Sequence, residues 1–571
     1  MPEGIVTTGP CPIEELSPEA RARLEGVLAR MRAGESDGIA ELEALLAEAP
    51  AAVEVIGHLA WAQAHAGRHE RAIELYEQAL RVRPGDLEMR WRIGDRLVNL
   101  GRLEEAEAAY RAVLEAEPAC LDATMGVRYV QHLRRREAAT GRRAERYVPQ
   151  QREPTDLQRA NEELNRREIA RRRLRLESMP PALYLESTTK CNFFCRTCVK
   201  GYGPYHAEDL RGPILERVRD EVLPTNARIS ITGFGEPTMA ENFDGILRMA
   251  LENGSLVHFV TNASLLNVER IEHLTRCPVD ISISIDGATR GTFEEIRAGS
   301  NFELTIEKLA MIAKLRDIHL SRFFSRFGFI FVALRRNIDE LPDVVRLAHR
   351  FGIGLVHVAD YAPNANEYDE QSLRYDAARA NARLEEARRV AQELGVHLVT
   401  PPPYEEPGRD ATTRRGWRRW LPDGRVLPAR DRFAQRCHSP WREPYIHTDG
   451  RVTPCCASGQ YLGNVAERPF RAIWNGWRYR LLRWRVNSPI PRHECRVCFV
   501  AWGINGGNAA NAMAREGLLV KAWYRGEAAV KALARHLRRL LRPRPTPAPE
   551  PNFLRGRPIA TRNRMDATPP T

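Results

Sequence analysis

A chain of 571 residues is too long for one hydrophobic core, and at about 150 residues per domain it predicts three or four folding units. No apolar run reaches the roughly 18 residues needed to cross a bilayer, and MPEGIVTTGPCPIEELSPEA lacks the basic and apolar regions of a signal peptide. A cytoplasmic protein without a transmembrane segment is expected. The net charge of +12 is concentrated between Arg134 and Glu177 (14 basic against 8 acidic, +6) and between Lys521 and Thr571 (12 against 3, +9), which leaves 12 − 15 = −3 elsewhere. That placement reads as solvated flanks, and no nucleic-acid partner is expected.

The eleven cysteines of a chain without an export signal are expected to be reduced thiols used as metal ligands or catalysts. Repeats come before them in the chain. Gly67, Ala72, Tyr76, Leu80 and Pro84 recur 34 residues later as Gly101, Ala106, Tyr110, Leu114 and Pro118. This is the period of a helical hairpin in which a small residue lets two helices approach, an aromatic fills the gap and proline stops the second helix. The segment resembles tetratricopeptide repeats, with a degenerate first repeat from about residue 17 and an end near 130. Such an array is expected either to dock a peptide or protein in its concave face or to pack on another domain of its own chain.

Residues 131–178 are charged, poor in aromatics and interrupted by Pro149 and Pro154, which predicts a partly helical basic linker. Between 180 and 400 the strand-like runs ALYLEST, ARISITGF, LVHFVTNA, VDISISIDG, RFGFIFVAL and GLVHVADY alternate with amphipathic helical segments. Six strand–helix units predict a parallel sheet curled into a partial (β/α)6 barrel, with reactive residues at the carboxyl ends of its strands. The overall class is therefore multidomain α and α/β. A small cysteine-bearing region at 430–510, a basic helix at 515–542 and a disordered tail at 543–571 complete the predicted order.

The first strand leads into CNFFCRTC, with Cys191, Cys195 and Cys198. A structural zinc site closes four ligands, whereas three thiolates from one loop suit a cubane iron–sulfur cluster with one open iron. The stretch resembles the signature of the radical S-adenosylmethionine (SAM) enzymes. That resemblance implies a 4Fe–4S cluster whose open iron chelates SAM, and reductive cleavage to a 5′-deoxyadenosyl radical that abstracts hydrogen from a substrate C–H bond. It also implies that GFGEP, with Gly233, Gly235, Glu236 and Pro237, holds the methionine amino group, and that Ser284 or Asp286 of SISIDGAT meets the ribose. Arg297 lies where the family often has an arginine near the cofactor.

Cys437, Cys455, Cys495 and Cys498, with HTDGRVTPCC carrying a hairpin turn, resemble a shortened SPASM/twitch-type domain binding one auxiliary 4Fe–4S cluster. The same four ligands could instead make a structural zinc site. Cys456 is an alternative ligand or a core thiol, and Cys11, Cys120 and Cys277 are expected to be plain buried residues. Asp360 and Tyr361 end the sixth strand at the rim, as proton acceptor and radical relay or as turn residue and wall. A peptide or protein substrate, a small-molecule substrate such as a sugar alcohol, and a non-catalytic adaptor all remain as readings. An enzyme of this kind would also need an electron donor such as a flavodoxin or ferredoxin.

Overall fold

The computed structural model describes residues 16–33, 37–140, 154–198, 206–319, 326–361, 367–404, 419–420, 426–427, 437–456, 458–487 and 495. The predicted basic helix and tail, with Cys11 and Cys498, lie outside them.

Seven helices come first: α1 (Pro18–Ala33), α2 (Ile39–Glu48), α3 (Val53–His65), α4 (His69–Val82), α5 (Leu87–Asn99), α6 (Leu103–Ala116) and α7 (Leu121–Thr140). Ala72, Tyr76, Ala106 and Tyr110 are buried, as the 34-residue pattern requires. The repeat glycines act differently from the expectation. Gly67 and Gly101 have φ of +79° and +73°, and a side chain on Gly101 would meet nothing within 4 Å, so each permits a left-handed turn rather than a close helix approach. Close approach falls to Gly94 and Gly126, where an added Cβ would lie 2.6 and 2.5 Å from the Tyr110 ring.

The linker is more than a tether. Its helix α8 (Asp156–Ala170) starts on a capping box formed by Thr155 and Gln158. Its buried face is polar: Gln158 donates to the carbonyls of Asn226 and Asn253 (both 3.0 Å), Asn161 to those of Met179 and Thr225 (both 3.0 Å), and Asn165 to that of Trp441 (2.7 Å). These amides satisfy loop carbonyls at the base of the sheet that water would otherwise hold.

The sheet strands are β1 (Ala182–Leu185), β2 (Arg228–Ile231), β3 (Leu256–Thr261), β4 (Val279–Ser284), β5 (Arg326–Ala333), β6 (Leu355–Asp360) and β7 (His397–Val399), all parallel. They alternate with α9 (Gly212–Glu221), α10 (Phe243–Glu252), α11 (Val268–Arg276), α12 (Arg290–Ile296), α13 (Phe302–His319), α14 (Leu341–Arg350) and α15 (Ala377–Leu394). Ile229, Ile231, Val257, Phe259, Ile281 and Ile283 are buried beneath these helices. The alternate residues Tyr184, Ser230, His258 and Ser282 are half-buried on the opposite face of the sheet.

Beyond a two-stranded pair, β8 (Arg419–Trp420) with β9 (Val426–Leu427), the chain forms α16 (Ser439–Arg442), β10 (Tyr445–Ile446), β11 (Arg451–Thr453), β12 (Gly463–Asn464), α17 (Phe470–Trp474) and α18 (Trp477–Val486). The expected six-stranded sheet becomes ten-stranded, in the order β12-β11-β10-β1-β2-β3-β4-β5-β6-β7. The C-terminal hairpin gives β1 a parallel neighbour, which covers an otherwise open edge.

The repeat helices α5 and α7 rest on α13 of the barrel. Lys314 of α13 is fully buried, with its Nζ 2.7 Å from Asp95 and 4.1 Å from the centre of the Trp91 ring. Arg96 and Asn99 donate to the carbonyls of Asp317 and Ile318 (2.6 and 2.8 Å), and Tyr129 donates to Glu272 of α11 (3.0 Å). At this end, the array grips the barrel of its own chain.

Candidate active site

The cysteine loop follows β1 and is fastened on two sides. The Phe194 and Arg196 amides donate to the carbonyls of Ala298 and Ile296 (2.8 and 2.9 Å), at the end of α12 and just beyond it. Asn192 donates to Ser264 and accepts from Asn262, both at 2.9 Å, beyond β3. Phe193 is buried as the loop's anchor while Phe194 is 75% exposed, so the two aromatics of CNFFC have opposite roles. Cys191, Cys195 and Cys198 are half-buried. Burial pushes the Cys195 thiol up to about 11; Arg297 opposes this, and Asp286, Cys198 and Cys191 add to it.

Arg297 is buried rather than on the helix surface. Its Nε lies 2.8 Å from Asp286 Oδ2, and Nη1 donates towards Cys195 Sγ at 3.8 Å. Burial works against its charge, but Asp286 and Cys195 outweigh burial and hold the guanidinium protonated. Asp286 is fully buried, and its other oxygen accepts the Val332 amide at 2.8 Å. Both oxygens thus serve protein donors. Ser284, also buried, stands two residues earlier at the end of β4.

The glycine loop fits against the cysteine loop so closely that side chains are excluded. A Cβ on Gly235 would lie 2.4 and 2.5 Å from the carbonyl oxygens of Thr188 and Lys190, and one on Gly233 would lie 2.5 Å from Glu186 Cγ. The Glu236 amide donates to the Lys190 carbonyl at 2.7 Å. Its carboxylate is buried: Oε1 accepts the hydroxyls of Thr238 and Thr261 (both 2.6 Å), and Oε2 accepts the Asn262 amide (2.7 Å). Pro237 begins the short turn that follows. Next to Asn262, fully buried Ala263 has φ +60°, a backbone cost of about 1–3 kcal/mol that such sites carry when neighbours over-determine them.

Sequence reasoning missed Glu186. It is buried at the end of β1, and accepts from the Phe234 amide (3.1 Å), the Tyr445 hydroxyl (3.1 Å) and the Thr448 amide (3.3 Å), with His447 Nδ1 at 3.3 Å. Burial alone would raise its pKa. The bonds from His447, Phe234 and Thr448 overcome that and hold it below the ordinary carboxylate range. One carboxylate thereby joins the barrel, the glycine loop and the C-terminal hairpin. Its signal was its place, five residues before Cys191 at a strand end.

In the C-terminal region, Asn487 accepts the Cys437 amide (3.1 Å) and donates to the Cys437 carbonyl (3.0 Å), while Thr453 donates to the Cys455 carbonyl (3.2 Å). Cys437 and Cys495 pack against the main core. Cys455 is half-buried and Cys456 exposed, so Cys456 is not the core thiol considered from sequence. Cys277 is buried, whereas Cys120 is half-buried. Asp360 accepts the Tyr404 hydroxyl at 2.8 Å, and Tyr361 is buried beside Tyr368.

Among the described residues, no three metal-ligating side chains gather closely enough to chelate one ion. A cubane takes each thiolate on a different iron, so it suits thiols that are neighbours without converging on a point. The half-buried thiols beside a buried cation, and the glycine cradle next to them, fit a cluster with its bound cofactor.

Residues 185–348 match the Radical SAM superfamily, residues 437–499 the SPASM iron–sulfur cluster-binding domain, and residues 64–124 the tetratricopeptide repeat. The chain is 25% identical to the tungsten-containing aldehyde ferredoxin oxidoreductase cofactor-modifying protein of Pyrococcus furiosus, over 53% of this chain and 82% of that one. It is 26% identical to the AdoMet-dependent heme synthase of Methanosarcina barkeri (57% and 89% covered) and 24% identical to the PqqA peptide cyclase of Gluconobacter oxydans (59% and 90%). The chain is an enzyme of the radical SAM superfamily, with tetratricopeptide repeats before its barrel and an SPASM cluster-binding domain after it.

Proposed function

We propose that this enzyme modifies a peptide or protein by abstracting hydrogen from a C–H bond of one of the substrate's amino-acid residues, and that it works in the cytoplasm. The observation that carries its radical chemistry is the joint between Cys195, Arg297 and Asp286 beside the glycine cradle. When bound, the reduced 4Fe–4S cluster and SAM supply a 5′-deoxyadenosyl radical. Cys191, Cys195 and Cys198 are the residues to hold that cluster, and Cys437, Cys455, Cys495 and Cys498 those to hold an auxiliary one. Arg297 offsets thiolate charge at Cys195. Glu236 Oε2 accepts one bond from the described residues and retains capacity for the methionine amino group. Ser284 or Asp286 is the ribose partner in this reading, since each Asp286 oxygen has one protein donor and keeps room for a second.

The relative named for a peptide, matched over 90% of its length, supports the peptide substrate. With α5 and α7 held by the barrel, that substrate enters at the carboxyl rim of the sheet and not through their groove. A second reading, a small molecule, is favoured by the relatives named for a cofactor and heme. The half-buried polar row in which His258 bonds Ser230 and Ser282 (3.0 and 3.1 Å) would also suit such a substrate.

The test is deuterium transfer. Reconstituted enzyme is given SAM, reductant and size-fractionated extract of the source cells grown on deuterated amino acids. Deuterium in 5′-deoxyadenosine from the peptide fraction is expected. Transfer from the small-molecule fraction alone would overturn the peptide reading.

A further inference from the structure

Helix α18, WRYRLLRWRV, has two faces of unlike chemistry. Tyr479, Leu482, Arg483 and Val486 point into the domain and are buried. Trp477, Leu481 and Trp484, at the same helical spacing, are 64, 48 and 60% exposed, with Arg480 exposed among them. Burying such side chains contributes about 1.5–3 kcal/mol each, so an exposed row of them suits a partner surface.

The stretch of sequence that carries this helix is rich in arginine. Residues 468–493 contain seven arginines and no aspartate or glutamate. The Arg478 guanidinium lies over the rings of Tyr461 and Trp477, 5.1 and 5.3 Å from their centres. Aromatic and arginine side chains together are the residues that dominate protein-binding hot spots.

The position of this face indicates what binds there. Asn487, directly after α18, closes both backbone hydrogen bonds of Cys437. Tyr479 on the inner face is within electrostatic reach of Cys455. The helix and the residue that ends it therefore lie beside two of the cysteines assigned to the auxiliary cluster. We propose that the outer face of α18 is the docking surface for an acidic protein that carries a one-electron redox centre and passes that electron to the auxiliary cluster. This rests on the cluster assignment made above. The carrier is oxidised by one electron, the cluster is reduced by one, and no proton need move. Residues 515–542 are a less suitable cover, because their own basic charge repels this face. A membrane is also less suitable, because only three apolar side chains are offered by a helix whose other face is fixed in the domain.

The experiment compares full-length, reconstituted wild type with Trp477→Ala/Trp484→Ala and with Arg478→Glu/Arg480→Glu. Cluster reduction is followed by stopped-flow absorbance, with reduced bacterial flavodoxin or with dithionite as donor. The proposal expects both variants to bind normal iron and to react normally with dithionite. Their reduction by flavodoxin should be slower by about tenfold or more, and the wild-type rate should fall as salt is added. Unchanged flavodoxin kinetics in variants that dithionite reduces normally would overturn the docking surface alone. Zinc in place of iron at the second site would overturn the cluster assignment with it. A photo-crosslinking residue at position 484 adds a second measurement. Adducts with flavodoxin support the proposal, whereas adducts only with residues 499–571 of the same polypeptide, or with phosphatidylglycerol vesicles, overturn it.

Discussion

Lys314 of the barrel and Asp95 of the repeat array form an ion pair of 2.7 Å in which neither side chain is exposed. The Tyr110 hydroxyl donates to the same Asp95 oxygen at 2.6 Å, so the aromatic that marks the repeat in the sequence also secures the barrel.

Replacing Lys314 with Met should destabilise this junction by about 3–5 kcal/mol, because buried Asp95 loses its close cation and keeps only Arg96, at 4.0 Å. The repeat helices should unfold first in urea, followed by circular dichroism and limited proteolysis. Adding Asp95→Leu should recover much of the loss, since removing both charges removes the desolvation penalty. Additive losses in the double variant would refute the pairing.

Arg297→Ala should lower uncoupled 5′-deoxyadenosine formation by about tenfold or more, because Asp286 loses its cation and Cys195 its donor, and about 1.4 kcal/mol is tenfold in rate. Arg297→Lys should recover little, because one ammonium cannot reach both partners as the guanidinium fork does. Chromatography of the product and the electron paramagnetic resonance spectrum of the reduced protein provide the readouts. Wild-type values in Arg297→Ala would remove the role.

Glu186 has a folded pKa below the ordinary 4.5. Its stabilising contribution is therefore complete above that value and is lost as the pH falls towards the depressed folded value. Glu186→Gln should be less stable than wild type at neutral pH, and the gap should narrow in acid. Urea midpoints measured from pH 7 to pH 3 provide the check; a gap that widens in acid would contradict the assignment.

Anaerobically reconstituted protein should carry about eight irons, four in each of two cubanes, and the triple change of Cys191, Cys195 and Cys198 to Ala should leave about four. Iron and zinc analysis decides between a cluster and a zinc ion at the C-terminal cysteines.

The barrel was legible because each strand alternates or runs apolar and each is followed by an amphipathic helix. The cysteine and glycine motifs could be read because their spacing is local. Helix α8 appeared as a linker because its buried stripe is Gln158, Asn161 and Asn165, which any apolar-period test scores as solvent-facing. The β10–β1 pairing was not legible either. Tyr445 and Tyr184 are register partners far apart in the sequence, and a two-residue strand carries too little pattern to announce its neighbour. Gly101 does not have the close-approach role expected of a repeat glycine, which falls to Gly94 and Gly126. Sequence spacing finds the glycine, whereas only geometry distinguishes a left-handed turn from a close contact.

The grip of α5 and α7 on α13 bears on how the polypeptide is made. Arg96 and its acceptor Asp317 are 221 positions apart. On the ribosome, the repeat helices emerge first and must wait for most of the barrel before Trp91 and Asp95 find their counterparts. During that interval the surface that α11 and α13 will cover stays exposed, with the Asp95 carboxylate in it. Contacts of such sequence separation form late, which makes the nascent repeat array the stage at which this protein most needs protection from aggregation.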